Sequence, residues 1–140
     1  MNRSEAFAFL HEHQPMPDDN ELTQELIDRY DEVRKFFIAT PEKEAISLFL
    51  NSYGKGDGWG VYQLVEDFFY KCNQDDVVCE IKKVLEDPSV PDGVRYWVTQ
   101  VSGVFPDDRL KKGLETSLNS EDEDIQDAAK LALDLISDDF

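Results

Sequence analysis

One apolar pattern occurs three times along this sequence, and it limits the fold more than any other feature. Each copy places apolar residues at positions i, i+3, i+4 and i+7, which together form one face of an α-helix. The copies are Val61, Leu64, Val65 and Phe68, then Val94, Trp97, Val98 and Val101, and then Ile125, Ala128, Ala129 and Ala132. They lie about thirty residues apart, and shorter segments ending in Leu50, Leu85 and Leu118 separate them. A repeat of this length predicts an array of helical hairpins.

The remaining segments also have helical periodicity, so we expect a single all-α domain over residues 1–140. Residues 1–40 would form an N-terminal helical extension, whose long second helix Asn20 could cap. Pro41 suits the first turn of the next helix, where its missing N–H costs nothing. Residues 41–140 would then form about three hairpins, stacked as a short right-handed α-solenoid.

A β-hairpin is the alternative for the segment "VPDGVRYWVTQVSGVF", which is rich in β-branched residues. Its turn would lie at Asp92-Gly93. The alternation of apolar and polar residues that strands require is not sustained, however, and Pro91-Asp92 suits the start of a helix better. We therefore expect a helix here, and a β-sheet in this segment would contradict the solenoid.

The chain is strongly acidic, with a formal net charge of -17 and a pI near 4.3. A field of this sign repels nucleic acids and anionic membranes, so we expect neither as a direct partner. It favours a basic protein partner, although an acidic surface also simply keeps a protein soluble. No apolar run approaches the roughly 20 residues of a membrane span. The two cysteines and the absence of an apolar leader favour the cytoplasm.

The middle copy, "KKVLEDPSVPDGVRYWVTQVSGV", resembles a HEAT repeat. The marks of this resemblance are a helix end at Leu85, then Asp87-Pro88, then Val94-Arg95 at the start of the second helix. The last copy, "LETSLNSEDEDIQDAAKLALDLI", is similar, with Ile125-Gln126 in place of Val-Arg. The first copy matches least, because a glycine-rich turn lengthens it. The resemblance covers about two thirds of the chain and implies an architecture rather than a function.

Small acidic HEAT-like proteins also resemble a group of bacterial immunity proteins, and the segment "GDGWGVYQLVEDFF" is similar to segments of that group. This resemblance implies a protein that neutralises a cognate toxin, such as a nuclease, by stoichiometric binding. Other HEAT-like proteins resemble lyase components that act on bound cofactors, which makes a subunit or adaptor of an enzyme complex the alternative. A third interpretation is a nucleic-acid mimic whose carboxylates imitate phosphates.

The stretch "SYGKGDGWG" could be a phosphate-binding loop or a turn between helices. A P-loop needs Lys-Ser/Thr after its last glycine, and a dinucleotide fingerprint needs a third glycine where Trp59 stands. Asp57 adds negative charge where a phosphate would lie, and only Lys55 favours one. We therefore expect a turn, in which Gly54 ends the preceding helix in a left-handed conformation. Trp59 would be a cap over the core or an anchor presented with Tyr62.

No group of residues with catalytic or metal-binding spacing stands out. His11 and His13 lack the i, i+4 spacing of a metal pair, and Cys72 and Cys79 are too far apart for a redox pair. The acidic run "SEDEDIQD" lacks the glycine and glutamate of a calcium loop, so we expect Ser120 to cap the last helix there. We expect a protein that is not an enzyme and that needs neither a cofactor nor a metal.

In a HEAT-like array the second helices line the inner surface, which is the usual binding face. We predict that this surface binds a basic protein, such as a toxin domain, through aromatic residues set among acids. The predicted partner-binding residues are Trp59, Tyr62, Glu66, Asp92, Tyr96, Asp124 and Asp127. Attraction between unlike charges would speed association, and aromatic anchors would slow dissociation.

Overall fold

A computed structural model describes residues 1–137 of the protein. These residues form α-helices joined by loops and short 3₁₀ turns, and they contain no β-strand. The helices are α1 (Arg3–Glu12), α2 (Gln24–Ala39), α3 (Glu44–Leu50), α4 (Glu66–Phe69), α5 (Gln74–Glu86), α6 (Asp92–Ser102), α7 (Lys111–Leu118) and α8 (Glu123–Ser137). The prediction of an all-α fold is confirmed for this part of the chain, including a helix where a β-hairpin was the alternative.

Side chains just before the helices determine where several of them begin. Asn2, Thr23 and Asn73 each accept a hydrogen bond from a first-turn amide, of α1, α2 and α5 respectively. The predicted cap of α2, Asn20, was wrong. It lies in a separate 3₁₀ turn, Asp19–Glu21, and the helix begins only after Thr23.

The starts of α3 and α8 also differ from the prediction. Asp122, rather than Ser120, caps α8, because its carboxylate accepts hydrogen bonds from two amides at the start of the helix. Ser120 instead accepts a hydrogen bond from the amide of Asp122, at 3.1 Å. Pro41 lies in the loop before α3, which begins at Glu44, and so it does not occupy the first turn.

The helices pack around one continuous apolar core. Helix α1 packs on both α2 and α3, and α2 also contacts α4. Further along the chain α3 packs on α5, α5 packs on α7, and α6 packs on α8. The core runs from Ala6 in α1 to Ile136 in α8, so the first two helices bury their apolar faces together with the rest of the chain.

Aromatic rings fill the part of the core between α2, α3 and α4. Phe37, Phe49 and Phe68 are all fully buried. The ring centre of Phe37 lies 5.8 Å from that of Phe49 and 6.1 Å from that of Phe68, both in edge-to-face geometry. The hydroxyl of Tyr30 is hydrogen-bonded to that of Ser52 at 2.6 Å, so its polar end is satisfied inside the core.

A buried arginine connects α6 to its neighbours. Arg95, which is 5% exposed, donates to the hydroxyl of Ser117 in α7 at 2.8 Å and to the carbonyl of Asp87 at 2.7 Å. The hydroxyl of Thr99 is also hydrogen-bonded to that of Ser117, at 2.9 Å. Burial lowers the pKa of Arg95 from its usual value. These hydrogen bonds fix α6 against α7 and the end of α5.

The segment that follows the glycine-rich loop departs from the predicted repeat. Instead of one regular helix it forms 3₁₀ turns at Gly58–Gly60 and Tyr62–Val65, and then the short α4. Val65 and Phe68 are buried, but Leu64 is 40% exposed. The predicted apolar stripe was therefore wrong for this copy, because a 3₁₀ winding of three residues per turn rotates successive side chains differently from an α-helix.

Candidate functional site

The glycine-rich loop, residues 54–60, takes an unusual backbone path between α3 and α4. Its residues with positive φ are Gly56 (115°), Gly58 (58°), Trp59 (53°) and Gly60 (90°). Glycine adopts this conformation freely, whereas a tryptophan there costs about 1–2 kcal/mol. The prediction that Gly54 ends the helix in a left-handed conformation was wrong, because α3 already ends at Leu50 and the left-handed residues come later.

The side-chain carboxylate of Asp19 accepts hydrogen bonds from backbone amides of this loop. Asp19 Oδ2 accepts a hydrogen bond from the amide of Asp57, and Asp19 Oδ1 accepts one from the amide of Gly58, both at 3.0 Å. The amide of Asp19 donates in return to the carbonyl of Lys55, also at 3.0 Å. Successive amides of this kind bind phosphate in other proteins. Because both are bound to Asp19 here, the loop is held as a structural turn.

The N-terminal part of α6 lies directly against this loop. A Cβ atom on Gly93 would come within 2.5 Å of the carbonyl oxygen of Gly54, so the close approach depends on glycine. About one turn further along, Nε1 of Trp97 donates a hydrogen bond to the carbonyl of Gly56 at 2.8 Å. The loop therefore has a fixed position relative to α6, and residues of both can form one site.

Three aromatic rings pack at this junction. The ring centre of Trp97 lies 5.8 Å from that of Tyr53 and 6.0 Å from that of Tyr62. Tyr53 is fully buried and Tyr62 is 1% exposed. The hydroxyl of Tyr62 accepts a hydrogen bond from the amide of Gly54 at 3.1 Å, and burial raises the pKa of Tyr62 to about 12. Tyr62 thus belongs to the core and is not presented at an exposed rim together with Trp59.

Two of these residues, Tyr62 and Trp97, border a depression of about 290 Å³, which we call the aromatic pocket. Its lining includes the rings of Tyr62, Tyr96 and Trp97 and the polar side chains of Gln63, Glu66 and Gln100. The rings of Tyr96 and Trp97 meet edge to face, with centres 5.3 Å apart. The Gln100 amide donates to the Tyr96 hydroxyl at 2.9 Å, and the Tyr70 hydroxyl donates to Glu66 at 3.0 Å. The pocket therefore combines aromatic walls with an oriented carboxylate.

A second depression, of about 500 Å³, shares Tyr96 and Trp97 with the aromatic pocket, and we call it the acidic cleft. Its carboxylates are those of Asp57, Asp92, Asp122 and Asp124. They come from the glycine-rich loop and from the start of α6 and α8, so the fold brings together three distant parts of the sequence. Lys55 is a cationic side chain in the same lining. The excess of carboxylates gives the cleft a negative potential.

Most of the predicted partner-binding residues border one of these two depressions. Tyr62, Glu66 and Tyr96 line the aromatic pocket, and Asp92, Tyr96 and Asp124 line the acidic cleft. Trp59 and Asp127 are exposed but lie outside both linings. Tyr62 lines the pocket from the core, since it is only 1% exposed.

The sequence interpretation missed other lining residues, above all Trp97 and Gln100. Trp97 completes the apolar stripe predicted for this helix, yet it is only partly buried. Gln100 lies four residues after Tyr96 and so on the same helix face. This spacing, and the adjacent aromatic pair on one short helix, were signals in the sequence for a surface lined by rings.

Within residues 1–137, the histidine and cysteine side chains do not form a further site. In residues 1–137 no three His, Cys, Asp or Glu side chains are placed to hold a metal ion. Within the same residues, no helix has the length and apolar character needed to cross a membrane. Both cysteines are free thiols, and burial raises the pKa of Cys72 to about 11, so this thiol is not activated. His13 stacks on Phe9 at a ring-centre distance of 4.2 Å.

Comparison of the chain with models of protein families, with curated proteins and with solved structures finds no significant match. The function is therefore inferred from the geometry and charge of the chain itself.

Proposed function

We propose that this protein is a binding module without catalytic activity, and that it binds a basic protein through the acidic cleft and the aromatic pocket. The observation that carries the proposal is the continuity of the two depressions, which share Tyr96 and Trp97. Tyrosine and tryptophan are enriched at the hot spots of protein interfaces, and both of these rings are only partly buried. The net charge of -17 would extend the attraction beyond the contact surface and repel nucleic acids.

We further propose that residues 41–137 form three stacked HEAT-like hairpins in a short right-handed α-solenoid; the last three residues of the predicted range 41–140 lie outside the described residues. The succession of contacts from α3 to α5 to α7, with α6 on α8, supports this arrangement. The hairpins would pair α3 with α4, α5 with α6, and α7 with α8. The second helix of the middle hairpin would then be α6, which supplies Asp92, Tyr96 and Trp97 to the site.

The partner that fits this surface best is a bacterial toxin domain, with the protein acting in the cytoplasm as its immunity protein. A nuclease toxin has a basic substrate site because its substrate is a polyanion. The acidic cleft is complementary to such a site, and binding there would exclude the substrate without any chemistry. Inhibition would then be stoichiometric, and it would depend on the carboxylates of the cleft.

Co-expression with the product of the gene directly upstream tests this function. If that gene encodes a toxin, we expect wild-type protein to restore growth and the double variant Asp92→Lys/Asp124→Lys to fail. The control variant Glu115→Lys/Asp134→Lys makes the same change in charge at exposed positions outside both linings, and it should still protect. A metabolic operon around the gene would instead indicate an enzyme subunit, and broad binding to DNA-binding proteins would indicate a nucleic-acid mimic.

A further inference from the structure

The aromatic pocket has the chemistry of a site for one organic cation. Ring faces carry negative potential and attract ammonium and guanidinium groups within about 6 Å. Tyr96 and Trp97 contribute rings to the pocket, and Glu66 contributes a negative charge. In the part of the chain that the structure describes, no Lys, Arg or His side chain lines the pocket. A cation entering it would therefore meet attraction from the aromatic walls and from the carboxylate.

The volume of the pocket limits what can occupy it. Sites for drug-sized ligands and cofactors occupy about 300–1,000 Å³. At about 290 Å³ the aromatic pocket lies just below this range, which suits one long side chain rather than a nucleotide or a folded segment. Its opening beside the acidic cleft would let flanking basic residues of the same partner reach the carboxylates of that cleft.

The polar groups of the pocket favour arginine over lysine. The Gln100 amide nitrogen donates to the Tyr96 hydroxyl, which leaves the Gln100 carbonyl oxygen as an acceptor in the same lining as the Glu66 carboxylate. A guanidinium group is planar, stacks on rings and offers five donors, so it can use several acceptors at once. An ammonium group is more strongly hydrated and offers a single point of charge.

We propose that the aromatic pocket binds an arginine side chain of the basic partner, with Glu66 as its counter-ion and Tyr96 and Trp97 as its stacking walls. This inference rests on the proposed function, because it specifies which residue of a basic protein enters the site. The acidic cleft would attract the partner, and the neighbouring aromatic pocket would select an arginine among the partner's basic residues.

Fluorescence titration with hexa-arginine and hexa-lysine tests this selection, because the two peptides have the same charge. The chain has two tryptophans, so the variant Trp59→Phe leaves Trp97 as the only tryptophan and places the signal in the pocket wall. We expect Trp97 emission to change on binding and hexa-arginine to bind about 5-fold more tightly than hexa-lysine.

Two substitutions then separate the pocket from general acidity. Glu66→Gln preserves the shape of the side chain, and we expect it to reduce the preference for arginine to less than about 2-fold. Tyr96→Leu removes a ring face without touching Glu66 and should reduce the preference as well. Glu115→Gln removes one exposed negative charge outside both linings and should leave the preference unchanged.

Equal binding of the two peptides, or equal effects of Glu66→Gln and Glu115→Gln, would overturn the arginine site while leaving the basic partner of the proposed function in place. Failure of both peptides to bind at low salt would overturn the proposed function together with the arginine site. A preference for hexa-lysine that Glu66→Gln removes would assign the pocket to an ammonium group and overturn the choice of arginine.

Discussion

Trp59 combines two features that are costly to keep together, a left-handed backbone and an exposed ring. Its φ is 53° and its side chain is 48% exposed, with one long hydrogen bond of 3.4 Å from Nε1 to the carbonyl of Asp19. We expect Trp59→Gly to leave the free energy of unfolding unchanged or to raise it by up to about 1 kcal/mol, because glycine relieves the strained conformation. Urea denaturation measures this. A loss of more than about 2 kcal/mol would instead show that the ring is a cap over the core.

Asp19 is the residue on which the shape of the glycine-rich loop depends. Replacing it by alanine removes the acceptor of two amides, so we expect Asp19→Ala to lower the free energy of unfolding by about 1.5–3 kcal/mol. The matched control is Asp18→Ala, since the neighbouring Asp18 is exposed and its side chain caps no helix. We expect the control to change stability by less than about 0.5 kcal/mol. Equal losses in the two variants would contradict this role for Asp19.

At the scale of elements, the contact between α6 and the glycine-rich loop positions both depressions. Gly93→Ala would place a Cβ atom 2.5 Å from the Gly54 carbonyl, and we expect a loss of about 1–3 kcal/mol in thermal or urea unfolding. At Gly103 an added Cβ would meet no atom closer than 3.3 Å and φ is -70°, so Gly103→Ala should cost clearly less than Gly93→Ala. A neutral Gly93→Ala would mean that the loop and α6 are not tightly packed.

The elements also show what sequence patterns could and could not predict. The apolar periodicity predicted α6 and α8 well, because a regular α-helix keeps its apolar positions on one face. The same argument failed after the glycine-rich loop, where 3₁₀ turns expose Leu64. The pairing of Asp19 with the loop amides could not be predicted either, since the partners lie 38 and 39 residues apart and no local pattern connects them.

For the molecule as a whole, we expect the excess of acidic over basic residues to lower the stability of the folded state. There are 31 Asp and Glu residues against 14 Lys and Arg, so repulsion between like charges outweighs the surface ion pairs. Raising sodium chloride from about 20 to about 300 mM shortens the screening length, and we expect the melting temperature to rise. Chloride is preferred to sulfate, because sulfate stabilises proteins through exclusion from their surface. A melting temperature that falls with sodium chloride would show that attractive ion pairs dominate.

The acidic cleft is the feature on which the proposed function depends, and calorimetric titration against the product of the upstream gene tests it most directly. We expect one-to-one binding that Asp92→Lys/Asp124→Lys weakens at least about 10-fold, which corresponds to about 1.4 kcal/mol, while Glu115→Lys/Asp134→Lys weakens it less than about 2-fold. Where the upstream gene encodes a toxin, equal weakening by both double variants, or the absence of binding by the wild-type protein, would contradict the proposal that the acidic cleft binds a basic partner.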